Sequence, residues 1–196
     1  MKDLGRATNC VGIRITYNQN SICLDQSTYI AEVLKRFGMA DSKPVSTPSD
    51  VNQKLSMNAT SNNEEDENIT GKVPYQELVG CLLFIAQGTR PDIAFAVNDV
   101  SRFNQNHRAI HWKAVKRILR YLQGTIGCKL RYSKNGNQDL VGYTDSDWAS
   151  DIDKRRSCSG NFFKLSGGAV SWYSKRQQTV ALSTTEAEYM AWNRFG

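Results

Sequence analysis

Between Cys10 and Leu24 apolar and polar residues alternate on both sides of Asn18-Gln19-Asn20, the period-two pattern of two strands joined by a tight turn. Ile30, Val33, Leu34 and Phe37 then recur at i, i+3, i+4 and i+7, which predicts a helix with Gly38 as its C-terminal cap. Over residues 41–73 the periodicity disappears. Pro44, Pro48, abundant Ser and Asn and the run Glu64-Glu65-Asp66-Glu67 read as a long polar, acidic surface loop or linker without chemistry of its own. Three helices are expected next. Tyr75 to Gln87 is apolar enough to be largely buried; Pro91 suits the first helical position of the second, whose face is Ile93, Ala96, Val97 and Val100; the third runs from about Trp112 to Gln123 and ends at Gly124, with Val115, Ile118, Leu119 and Leu122 as its core stripe. After Gly136 the period returns to two, with strands expected over Asp139 to Asp145, Gly160 to Ser166 and Ala169 to Arg176. The last two are joined at Gly167-Gly168, and a helix begins near Ser183. The predicted fold class is α+β, a helical segment followed by a small α/β unit of three antiparallel strands and a helix.

Composition narrows the class. The 196 residues, 40% hydrophobic, suffice for one ordinary domain or two small ones. Five scattered cysteines without a C-x-x-C pair and only two histidines argue against a disulfide framework or a zinc site. The N-terminus lacks the apolar core of a secretion signal, and no apolar run approaches the roughly 18 residues of a membrane span. The expectation is a reduced, intracellular protein without a membrane partner, in which the sequons at Asn58 and Asn68 are accidents of a polar loop. The net charge of +6 is modest, but from Val100 to Gln138 there is no Asp or Glu at all. Within that window Lys113, Lys116, Arg117 and Arg120 recur at helical spacing and project from one side of the third helix. Such a row is either a solvated helix face or a track for phosphates. If each cation neutralised one phosphate, log K would fall with log salt at a slope of roughly −3 to −4, a sequence-blind contact suited to holding a duplex.

The acids pose a sharper question. "YTDSDWASD", Tyr143 to Asp151, sets three carboxylates after an apolar run, and Asp145 shares the strand face of Val141 and Tyr143. An Asp there opens a turn, or else needs a partner or a metal if it is buried. In "STTEAEYMA", Ser183 to Ala191, Ser183 and Glu186 form the S-x-x-E capping box, each side chain satisfying the other's backbone N–H. Glu188 lies about 200° around the helix from Glu186 and has no such duty, so it is free to face the sheet and meet Asp145. Two carboxylates about 4 Å apart repel by roughly 4 kcal/mol at an effective dielectric of about 20, which calls for a divalent cation or a raised pKa. Oxygen-only ligands select Mg²⁺ or Mn²⁺.

"YQELVGCLLFIAQGTRPDIAFAVNDVSRF", "HWKAVKRILRYLQGT", "YTDSDWASDIDKRRSCSGNFFKLSGGAVSWYSKRQQTVALSTTEAEYMA" and the opening "MKDLG" together resemble the Pol polyprotein of copia-type LTR retrotransposons. The resemblance runs nearly end to end and is weakest from Ser49 to Val73. It implies that residues 1–40 close the reverse transcriptase palm and begin the thumb, that 41–73 are a loop, that 74–136 are the helical thumb and connection, and that 137–196 are the first part of a ribonuclease H-like domain. It assigns Asp145 and Glu188, the latter in "EYMA", as two of that domain's catalytic, metal-binding carboxylates, and makes the basic row a surface for RNA–DNA hybrid. The family's activity is two-metal hydrolysis of the RNA strand, beside copying of RNA into DNA, and the parent element works in cytoplasmic virus-like particles or the nucleus. The polymerase catalytic motif, two further carboxylates and the remaining strands of the sheet fall outside the 196 residues. The expectation is therefore weak Mg²⁺ or Mn²⁺ binding, the rest of the Pol polyprotein as partner, and a chain inactive by itself. Against this stand a non-catalytic nucleic-acid-binding remnant and a decayed fragment without function.

Overall fold

The computed structural model describes residues 5–50, 52–57 and 71–193. In chain order its elements are β1 (Asn9–Cys10), β2 (Ile13–Tyr17), β3 (Ser21–Asp25), α1 (Ser27–Arg36), α2 (Tyr75–Gly88), a 3₁₀ turn (Pro91–Ile93), α3 (Ala94–Ser101), α4 (Ala109–Gly124), β4 (Leu130–Ser133), β5 (Val141–Asp147), β6 (Cys158–Leu165), β7 (Gly168–Arg176) and α5 (Thr184–Asn193). Two antiparallel sheets, β1-β2-β3-β4 and β5-β6-β7, accompany the five helices. Among the described residues no helix is long and apolar enough to cross a membrane.

The local rules work where the signals were strong. The β2–β3 hairpin closes at residues 18–20, with the Asn18 N–H donating to the Ser21 carbonyl at 2.8 Å. Gly38, at φ +66°, ends α1 in a Schellman motif: its N–H donates to the Lys35 carbonyl and that of Met39 to the Leu34 carbonyl. Ile30, Val33 and Leu34 from α1, Leu78, Leu82 and Ile85 from α2, Val97 and Val100 from α3, and Val115, Ile118, Leu119 and Leu122 from α4 share one core, each at most 2% exposed. At 25 cal/mol per Å², each buried Leu or Ile contributes about 2 kcal/mol, so this core dominates the stability.

Three features depart from the sequence expectation. The segment read as helical through residue 136 ends in β4, which pairs with β3 from Ser21↔Ser133 to Leu24↔Leu130. Four residues are too few to carry a period of their own. The β6–β7 turn sits one residue early: Ser166 (φ +51°) and Gly167 (φ +85°) both take left-handed angles, as a type I′ turn requires, while Gly168 opens β7. Gly168 has another reason to lack a side chain, because a Cβ there would lie 2.6 Å from the Tyr132 ring and 2.8 Å from the Arg131 carbonyl. This contact brings β4 against the β6–β7 hairpin, where the Tyr132 hydroxyl donates to the Ala169 carbonyl.

The third departure is the loop. Residues 43–50 and 52–57 lie along α4 as a strap rather than hanging free. Arg120 donates to the Lys43 carbonyl at 2.7 Å, Arg117 donates to Thr47 Oγ1 at 2.9 Å and pairs with Asp50 at 3.5 Å, and Leu55 enters the core. The strap ends on Asp153, whose carboxylate accepts from Ser56 Oγ at 2.5 Å and from the Met57 N–H at 2.8 Å. Burial pushes the Asp153 carboxyl up, but these hydrogen bonds and the nearby Arg102 outweigh it and hold it below the usual carboxylate range. The acidic run and both sequons lie outside the described residues.

Asp153 belongs to the loop that docks the second sheet on the helices. There Asp151, 2% exposed, lies between two guanidinium groups: Arg102, at the end of α3, donates to Oδ1, and Arg176, at the end of β7, donates to Oδ2 at 2.6 Å. Trp172 Nε1 donates to the Ala86 carbonyl at 2.8 Å, tying β7 to α2. Asp151→Asn takes the shared carboxylate from Arg176 and leaves Arg102 only Asp99 and Asp153, and is expected to cost about 3 kcal/mol. For a chain of this length that is a fall in Tm of roughly 6–12 °C by calorimetry.

His111 gives the strap a pH dependence. Its Nδ1 accepts the Arg108 N–H at 2.9 Å, which leaves Nε2–H to donate to the Ser56 carbonyl at 3.1 Å, so the ring is held neutral. Burial, with Arg108 and His107 adding to it against Ser56 and Asp153, pushes the imidazole down to about 4. Since the unfolded chain takes up this proton near pH 6.5, stability is expected to fall as pH drops from about 6.5 to 4. Thermal melts at pH 7 and 5 should show a smaller drop in His111→Gln than in the parent chain.

Candidate functional site

β5 forms at the expected place, two residues further along than the pattern suggested, with Tyr143↔Phe162, Asp145↔Gly160 and Asp147↔Cys158 as register partners. Alternation gives the strand two distinct faces. Thr144 and Ser146 look toward the side of Ser159 and Asn161, with Thr144 Oγ1 donating to Asn161 Oδ1 at 3.1 Å. Tyr143, Asp145 and Asp147 look toward α3, where a cavity of about 430 Å³ separates the sheet from Ala94 and Phe95.

The three acids of the "YTDSDWASD" stretch therefore do three different things. Asp145 is exposed on the cavity wall, so the burial cost argued from the sequence does not arise. Asp147 accepts the Cys158 N–H at 2.6 Å and closes the end of the β5–β6 ladder. Asp151 is the buried partner of Arg102 and Arg176, a role invisible in the sequence because both partners are distant along the chain. The same crowding of acids raises Asp99 on α3: burial is the main cause, the charges of Asp151 and Asp147 add to it, and Arg102 opposes it. Burial likewise pushes the Cys158 thiol up.

α5 packs across the second sheet through Ala187 and Ala191, both fully buried. Their small side chains let the helix approach closely enough for Gln177 Nε2 to bridge Ser159 Oγ at 3.0 Å and the Ala187 carbonyl at 2.9 Å. At its start Ser183 Oγ accepts the Glu186 N–H at 3.1 Å, half of the expected capping box. The return bond is shifted by one residue, since the Glu186 carboxylate accepts the Leu182 N–H at 2.6 Å and not that of Ser183. Glu186 is still occupied at the helix start. Glu188 points elsewhere, as its helical position requires: its Oε1 accepts the Ser146 N–H at 3.4 Å, on the outer edge of β5. Glu188 thus reaches the backbone of the residue next to Asp145 from the α5 side of the sheet, whereas the Asp145 side chain faces α3, so the direct meeting of the two carboxylates expected from the sequence is not among the contacts of the described residues. Among the described residues, no group of three or more His, Cys, Asp or Glu side chains is placed to hold a metal.

The row on α4 is divided in two. Lys113 and Lys116 have no ion-pair or hydrogen-bond partner among the described residues, whereas Arg117 and Arg120 hold the strap. The sequence showed that α4 itself has no acid to balance the row. It did not show that Asp50 would supply one from the loop.

No protein-family model and no solved structure matches the chain. It is 50% identical over 195 residues to the Retrovirus-related Pol polyprotein from transposon TNT 1-94 of Nicotiana tabacum, covering 97% of this chain and 14% of that protein. It is 38% identical over 179 residues to the Retrovirus-related Pol polyprotein from transposon RE1 of Arabidopsis thaliana, covering 91% of this chain and 12% of the relative. A third relative, Secreted RxLR effector protein 161 of Plasmopara viticola, is 53% identical over 119 residues, 61% of this chain and 84% of that protein. The chain thus spans about one seventh of the tobacco polyprotein. With identity sustained along nearly all of its residues, the chain belongs to the family of copia-type retrotransposon Pol polyproteins.

Proposed function

We propose that this chain is the part of a Pol polyprotein that carries the end of the reverse transcriptase and the opening of a ribonuclease H-like domain, and that Asp145 and Glu188 are two of that domain's metal-holding carboxylates. The observation that carries the reading is the Glu188 carboxylate on the Ser146 N–H, beside an exposed Asp145. A helix-start role explains Glu186 but not Glu188. The order β5-β6-β7 followed by α5 against that sheet agrees with the arrangement which the family resemblance implies.

The donor chemistry suits Mg²⁺ or Mn²⁺. Both groups offer only oxygen, and Mg²⁺ is commonly held by one or two carboxylates, with water and substrate phosphate completing its shell. When bound, such an ion would activate water and offset charge on a scissile phosphate. The chain's own residues hold the carboxylates in place: the β5–β6 ladder and the Asp147 bond to the Cys158 N–H fix Asp145, and the Ser183 cap with the buried Ala187 and Ala191 fixes the turn of α5 that presents Glu188. RNA–DNA hybrid is the proposed substrate. Lys113 and Lys116 are the cations free to meet its phosphates, while Arg117 and Arg120 join them only if the strap yields.

Mn²⁺ binding followed by electron paramagnetic resonance should show weak uptake by the chain that is lost in both Asp145→Asn and Glu188→Gln. Uptake insensitive to both substitutions, or none at all, would overturn the site. A labelled hybrid incubated with the chain and Mg²⁺ or Mn²⁺ should be cut no faster than with Asp145→Asn, because two carboxylates alone leave most of the shell to water.

Hybrid binding measured against salt separates the two halves of the row. Two free cations give a slope of log K on log salt of roughly −2, against roughly −3 to −4 for all four. The double substitution Lys113→Ala/Lys116→Ala should flatten the slope toward zero.

A further inference from the structure

The side of β5, β6 and β7 that faces α3 is not filled. Phe95 on α3 remains 46% exposed and Tyr143 on β5 56% exposed, on the two sides of the cavity of about 430 Å³, although both are large aromatic groups that packing would ordinarily cover. Phe162 and Trp172 extend the aromatic lining, with the Tyr143 and Phe162 ring centroids 6.3 Å apart. Trp172 is anchored by its bond to the Ala86 carbonyl, so the wall is fixed.

Gly160 keeps the space open. It stands mid-strand in β6, directly across from Asp145 in the register. Its backbone needs no left-handed angle, and a Cβ there would meet nothing nearer than the Tyr173 carbonyl at 3.9 Å. No turn, bulge or close packing accounts for a glycine at this point, and a glycine in the interior of a strand commonly marks where another group approaches the backbone. The carboxylates of Asp145 and Asp147 line the same space, and no Lys, Arg or His is among the described residues that do.

We infer that this cavity binds an unpaired nucleobase carrying an exocyclic amine, which stacks between the aromatic walls and donates its amine hydrogens to Asp145 or Asp147. The volume lies within the range of pockets that hold small organic ligands. Aromatic faces accept any planar base, whereas the paired acids, unopposed by a cation, favour the donor edge of adenine, cytosine or guanine over uracil. The inference deepens the function proposed above and rests on it for the expectation that nucleic acid is what the chain meets.

The test is equilibrium dialysis or calorimetry of the whole chain with free adenosine, cytidine, guanosine and uridine, without divalent metal and without hybrid. At least one of the three amine-bearing nucleosides should bind saturably, with uridine about tenfold weaker. Gly160→Val fills the cavity with a residue that favours strands, so the chain should melt no lower while nucleoside binding is lost. Tyr143→Ala, at an exposed position, should weaken binding about tenfold by removing one stacking face. Absence of saturable binding, equal binding of uridine, or binding unchanged in a folded Gly160→Val or in Tyr143→Ala would overturn the inference. Because Mn²⁺ uptake is read without any nucleoside, loss of the base site and loss of the metal site are separate results.

Discussion

The placing of the second sheet depends on one buried carboxylate. Asp151 gathers Arg102 from α3 and Arg176 from β7, and as a buried carboxylate it needs both of them. The sheet needs this contact because its own interior is thin. Among the described residues its buried apolar side chains are Ala149, Ala169, Ala181, Ala187 and Ala191, and much of the α5 interface is polar, built on Gln177 and Ser159. Five alanines bury too little apolar surface to order nearly sixty residues against their conformational entropy, so the helical core must supply the support. The cavity beside Asp145 is a consequence of that docking, since one of its walls belongs to α3 and the other to the sheet.

The acids of this region show how little residue type says about role. Asp145, Asp147 and Asp151 lie within seven residues of one another, yet one faces an open cavity, one caps a strand and one balances two guanidinium groups. Glu186 and Glu188 divide in the same way, one serving the start of α5 and the other the edge of β5. Each assignment follows from the direction imposed by a strand of period two or a helix of period 3.6, together with whichever donor lies in that direction.

The strap changes the electrostatics of α4 in a way that a count of charges misses. Asp50, Thr47 and the Lys43 carbonyl occupy two of four cations, and Leu55 and the Ser56 contact with His111 hold the segment in the core. A polyanion arriving at α4 meets Arg117 already paired with Asp50 and Arg120 turned to a backbone carbonyl, though Arg120 keeps its charge. Residues 41–73 read as a surface loop or linker, and what that reading does not foresee, for residues 43–50 and 52–57, is the docking on α4, because the segment carries no regular period and binds through single, irregularly spaced contacts.

Much of the local architecture could be read from the sequence, and for definite reasons. The β2–β3 hairpin, the helices with Leu, Ile and Val at helical spacing, the Gly38 cap, the three antiparallel strands and the separation of Glu186 from Glu188 all follow from interactions within a few residues. What remained illegible was long-range: the pairing of β4 with β3, the strap on α4, the need for Gly168 beneath Tyr132, and the Arg102–Asp151–Arg176 contact. The same holds for Gly160, unremarkable in a strand until its partner across the ladder proves to be Asp145 beside an open cavity. Periodicity along the chain determined which faces would be apolar and which side chains would share a side. Only the packing of distant segments decided which charges are paired, which are free, and where space was left between them.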